Sequence, residues 1–84
     1  MLNKEKNLVK LVDCDTGKEV VIKTIEAGQG ATINLMNLGL NIGNTIEVTR
    51  KSRLHGPMVV THNGSEIAIG YGLAEKIMVE GITS

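Results

Sequence analysis

The stretch from Ala31 to Val48, ATINLMNLGLNIGNTIEV, constrains this chain more than any other, because the spacing of its apolar residues changes within it. Ala31, Leu35 and Leu38 recur at intervals of four and three, with Asn34 and Asn37 opposite, as on a short helix with one apolar stripe. Gly39 stands where a helix commonly ends in a left-handed residue, and Asn41-Ile42-Gly43-Asn44 reads as a corner. From Thr45 to Lys51, TIEVTRK, Ile46 and Val48 alternate with Glu47 and Thr49, the period of a half-buried strand. A helix over about residues 31–38 is therefore expected, with Thr32 as its N-cap. Two turns are marginal alone, so Leu35 and Leu38 are expected to pack inward onto a sheet that closes at this stretch.

The flanking segments read as strands. Residues 1–7 are polar and form an expected flexible arm, leaving 8–84 as one domain. Leu8 to Cys14 brings the first apolar side chains, and Asp15-Thr16-Gly17 turns the chain. In Glu19–Ile25, EVVIKTI, the Val20 and Ile22 face is expected inside. Ala27-Gly28-Gln29-Gly30 breaks that pattern with turn-forming glycines, and Ser52 to Pro57 is an irregular loop whose proline must precede the next strand. Asn63-Gly64 between apolar segments is a strong hairpin signal, a helical turn is expected near 72–75, and Lys76–Glu80 closes the series. Five or six short strands and one short helix fit a small, strongly bent antiparallel β-barrel, mainly β in class.

Composition narrows the function classes. The 84 residues hold one tyrosine and no Phe or Trp, so Val, Ile, Leu and Met must fill the core. Nine Lys and Arg balance nine Asp and Glu, which argues against nucleic acid as the partner, since such binding needs clustered cations and stacking aromatics. No apolar run reaches the roughly 18–20 residues that cross a bilayer, so no direct membrane insertion is expected. The first ten residues lack a signal-peptide core and Cys14 has no partner for a disulfide, so a cytoplasmic address and a monomer are expected.

Candidate chemistry is sparse. Neither Cys14 nor any serine has a histidine at a recognisable spacing, so no enzyme activity is expected. Cys14 reads first as a small buried hydrophobe and second as a thiol ligand flanked by Asp13 and Asp15. His55 and His62 are roughly 20 Å apart along an extended chain, too far to share a metal within one strand. Weak Fe²⁺ or Zn²⁺ binding by His55, His62 and Cys14, in one molecule or across two, is the alternative, with no cofactor required. Surface for a protein partner remains: Met36, Leu40, Leu54 and Met58 exceed what a small core obviously hides, and either form such a surface, with Arg53 and His55 beside Leu54, or complete a core that lacks aromatics.

Four ordered motifs, Leu35-Met36-Asn37-Leu38-Gly39-Leu40, Ile42-Gly43 with the strand to Val48, Gly56-Pro57, and Ala74-Glu75-Lys76-Ile77-Met78-Val79, resemble the FeoA family. The resemblance runs from about Leu11 to Glu80. It implies an SH3-like barrel acting as an accessory protein of bacterial ferrous iron transport, with the cytosolic part of the FeoB transporter as partner. A similar barrel ends the iron-dependent repressors, which implies a metal-responsive regulatory module as the alternative. No winged-helix segment precedes the barrel in this chain, so the transport branch is expected. Ile33 and Asn34 stand where the family often has Arg or Lys, and Cys14 where it tends to have Leu, which favours burial of Cys14.

Overall fold

The computed structural model describes residues 8–82, so the expected arm at 1–7 lies outside the described residues. Six strands, β1 (Leu8–Lys10), β2 (Glu19–Ile25), β3 (Thr45–Lys51), β4 (Met58–His62), β5 (Ser65–Ile69) and β6 (Ile77–Gly81), form one antiparallel sheet in the order β1-β6-β2-β3-β4-β5. Two helices, α1 (Gln29–Asn37) and α2 (Tyr71–Ala74), and a 3₁₀ turn at Leu11–Asp13 complete it. The fold is the expected SH3-like one, with a difference: among the described residues no ladder joins β1 to β5, so the sheet is strongly bent without closing.

The bend has a local cause. Register shifts by one residue between Ile22 and Thr24 in the β2–β6 ladder, and between Val48 and Arg50 in the β3–β4 ladder. Each extra residue curls its strand and raises the local twist. The first shift also leaves the buried Thr24 hydroxyl without a hydrogen-bond partner.

Alternation fills the concave side. Val20 and Ile22, Ile46 and Val48, Met58 and Val60, Ile67 and Ile69, and Ile77 and Val79 all point into one core, joined by Leu11, Leu35, Leu40 and Ala74. The β4–β5 hairpin turns on Asn63 and Gly64, whose φ values of 52° and 82° match the twist of the flanking strands. Lys23 and Glu80 pair at 3.5 Å across β2 and β6, exposed and so worth at most about 1 kcal/mol.

Several expectations are corrected here. Leu38 was expected inside and is 45 % exposed, whereas Leu40, expected on the surface, is fully buried. Gly39 causes the exchange. With φ at 95° it reverses the chain, its N–H bonds to Met36 O at 2.9 Å and the Leu40 N–H to Leu35 O at 2.9 Å. That paired closure brings the side chain three residues past the helix back over its last turn, so Leu40 joins Leu35 in the core and Leu38 is left outside.

Met58, the second side chain expected outside, is 3 % exposed, because it opens β4 on the same face as Val60. Thr32 is not the N-cap. The helix begins two residues earlier than expected, capped by Gly28 without a side-chain bond, and the Thr32 hydroxyl donates to Gly28 O at 3.2 Å inside its first turn. The second helical turn likewise starts one residue early, at Tyr71.

Candidate functional site

Between β3 and β4 the chain makes a tight loop, with the Ser52 N–H donating to Pro57 O at 3.2 Å and the Gly56 N–H to Arg53 O at 3.2 Å. Leu54 and His55 inside it have φ values of 56° and 63°. For residues with a Cβ that conformation costs roughly 1–2 kcal/mol each. Strain of this kind persists only where the surroundings over-determine it, and it concentrates where a chain binds something.

The surroundings that hold it are specific. The His55 ring stacks on Tyr71 at the start of α2, centroids 4.4 Å apart and planes 24° from parallel. On the other side Gly56 lies so close to Ser52 that a Cβ there would meet the Ser52 Cβ at 2.6 Å. Held from both sides, the loop projects Leu54 outward at 95 % exposure. Lys51 and Arg53 flank it, both exposed, and Arg50 reaches away to Glu66 at 3.4 Å.

A second apolar feature lies on α1 and the corner after it. Ile25, Thr32, Met36, Leu40, Asn41 and Ile42 line a depression of about 290 Å³, from which Met36 and Ile42 project into solvent. A larger cleft of about 680 Å³ runs beside the first turn, bordered by Asp13, Cys14, Asp15, Lys18, Glu19 and Glu47. Four carboxylates against one lysine make its lining predominantly acidic.

Of the expected docking residues, Arg53, Leu54 and His55 therefore share one loop, Met36 lies exposed on α1, and Leu40 and Met58 are removed to the core. The three expected metal ligands are not gathered. Among the described residues there is no group of three His, Cys, Asp or Glu placed to hold an ion. His55 stacks on Tyr71, while the His62 Nδ1–H donates to Thr45 O at 3.0 Å and its Nε2 faces the Asn63 amide at 3.4 Å.

Cys14 is buried and points its Sγ at Lys10 O, 3.7 Å away. Burial pushes its thiol pKa up; Lys51 opposes this and Asp13 and Asp15 add to it. The folded state thus holds the thiol proton more tightly than the unfolded chain does. Stability from this group is complete below the ordinary thiol range and is lost as pH rises through it. Thermal melts of the native chain and of Cys14→Ala should diverge with pH above about 9, the native chain falling faster. Parallel curves would show that the thiol is solvated.

Sequence reasoning passed over Tyr71, Ile42 and Lys51. Tyr71 was weighed only as a platform for bases, and its contact with His55 is made across the fold. Ile42 could have been found from its position between two glycines in a corner, where no strand alternation turns it inward.

The fold is thus one strongly bent antiparallel sheet whose described surface carries an exposed leucine on the β3–β4 loop, a small apolar depression beside α1 and a larger charged cleft by the first turn. The FeoA domain family's sequence profile matches residues 9–81, and this chain belongs to the FeoA family. A "Putative Fe(2+) transport protein A" from Methanocaldococcus jannaschii is 50 % identical over 64 residues, 76 % of each chain. The crystal structure of an iron uptake regulatory protein (FeoA) superposes with a TM-score of 0.81 at 33 % identity, covering 89 % of this chain and 99 % of the other. A manganese-dependent transcriptional repressor shares the fold alone, with a TM-score of 0.82 at 17 % identity, over 89 % of this chain and 42 % of its own length.

Proposed function

We propose that this chain is a non-enzymatic accessory module of ferrous iron uptake that works in the cytoplasm by docking on the cytosolic part of the FeoB transporter, with Fe²⁺ as the transporter's cargo. The observation that carries the reading is the family match across residues 9–81, joined by a half-identical relative whose printed name is an Fe(2+) transport protein. Geometry supports it from a separate direction. Leu54 is exposed on a rigid loop, and Met36 and Ile42 share an apolar depression, surfaces of a kind that a protein partner can cover.

A metal-responsive regulatory barrel is supported by the repressor likeness only, which is a likeness of fold. Isothermal titration of the chain into the purified cytosolic domain of its transporter tests the leading reading. A saturable isotherm with Kd in the micromolar range is expected, and the absence of binding at several hundred micromolar would overturn it.

A further inference from the structure

The chain is neutral overall, yet residues 50–65 hold three Lys and Arg and no Asp or Glu. Two of these cations, Lys51 at the end of β3 and Arg53 on the loop that carries Leu54, are exposed, while the third, Arg50, pairs with Glu66. An almost fully exposed leucine with two exposed cations close by in the chain, set on a loop with two strained residues, is a preformed shape rather than a flexible tip. Preformed contacts bind more tightly because little ordering remains to be done on association.

We propose that the 52–56 loop is a docking knob: Leu54 enters an apolar socket rimmed by carboxylates on the cytosolic part of the transporter, and Lys51 and Arg53 meet that rim. This rests on the function proposed above and assigns its contact. Charge complementarity selects the occupant, since cations around an apolar anchor are matched by an acidic rim around an apolar pocket and repelled by a basic one. Tyr71 is a positioning residue. Its ring fixes His55, His55 fixes the left-handed turn, and the turn aims Leu54. The depression beside Met36 and Ile42 lies on a different element and has no such charged rim.

Leu54→Asn is the informative variant, because asparagine accepts the left-handed conformation and leaves the fold intact while removing the apolar side chain. Its affinity for the cytosolic domain should fall roughly 10- to 100-fold, the effect of losing one buried leucine. Arg53→Glu should weaken binding several-fold at low salt and less at high salt, as rim charges do. Tyr71→Ala should lower the Leu54 amide order parameter in the free chain and reduce affinity, whereas Tyr71→Phe, which keeps the stacked ring, should do neither.

Binding by the native chain that Leu54→Asn leaves unchanged would overturn the knob and spare the proposed function. No binding by the native chain would overturn both. Vesicles rich in phosphatidylglycerol form the remaining arm. Leu54-dependent capture by those vesicles, with cytosolic-domain affinity indifferent to Leu54, would assign the knob to lipid and overturn the proposal.

Discussion

Leu35→Ala is expected to lower stability by about 2–5 kcal/mol and the melting temperature by roughly 10–25 °C. Leu35 is fully buried, and it is the one buried residue of α1. It also receives the Leu40 N–H that ends the helix, and Leu40 packs beside it in the core. Truncating it therefore opens a cavity and loosens the corner that leads into β3. A domain of this size holds only about 4–12 kcal/mol in total, so the loss is a large share of it. Leu35→Met, which conserves volume, should cost less than about 1.5 kcal/mol. Chemical denaturation of the three proteins measures this, and a loss below 1 kcal/mol for the alanine variant would mean that α1 is not anchored at Leu35.

Gly56→Ala should cost roughly 1–3 kcal/mol by overpacking. The reason is contact and not backbone conformation, since Gly56 is outside the set of positive-φ glycines. The added Cβ would overlap the Ser52 Cβ at 2.6 Å, and neither atom can swing away because each is fixed to the backbone. Removing the opposing atom should restore the loop. In the double variant Ser52→Gly with Gly56→Ala, the alanine change should cost at most a few tenths of a kcal/mol, a coupling that denaturation of the four proteins measures as a double-mutant cycle. Additive losses would place the two residues apart.

What the chain discloses about itself follows the range of the interactions involved. β3 and the β4–β5 hairpin were legible because alternation and an Asn-Gly turn act over a few neighbouring residues. The exchange of Leu38 and Leu40 was not, because helical spacing puts Leu38 on the Leu35 stripe, whereas the reversal at Gly39 that turns Leu40 inward leaves no periodic signal. Met58 was misplaced for a similar reason. It was counted among the apolar residues in excess of a small core, whereas its parity with Val60 puts it inside. Within the candidate site, the chemical types at Arg53, Leu54 and His55 were visible, but the loop's strain and the stack on Tyr71 depend on a meeting of β3–β4 and α2 that local sequence does not encode.

The family likewise became legible through glycine spacing rather than through chemistry. Gly39 and Gly43, with φ of 95° and 96°, bracket the corner between α1 and β3, and that bracket sets how the helix lies on the sheet. Catalytic groups left no such trace. Docking residues are exposed side chains that contribute little to folding, and only the three-dimensional arrangement distinguishes Leu54 from an ordinary loop residue.

Docking through the 52–56 loop is decided by amide chemical-shift mapping. Unlabelled cytosolic domain would be added to the ¹⁵N-labelled chain, and shift changes followed residue by residue. The largest changes are expected at Lys51 to Gly56 and at Tyr71, with β1 and β6 nearly unmoved. Saturable changes centred on the α1 corner or on the cleft beside Cys14, with the loop silent, would contradict it.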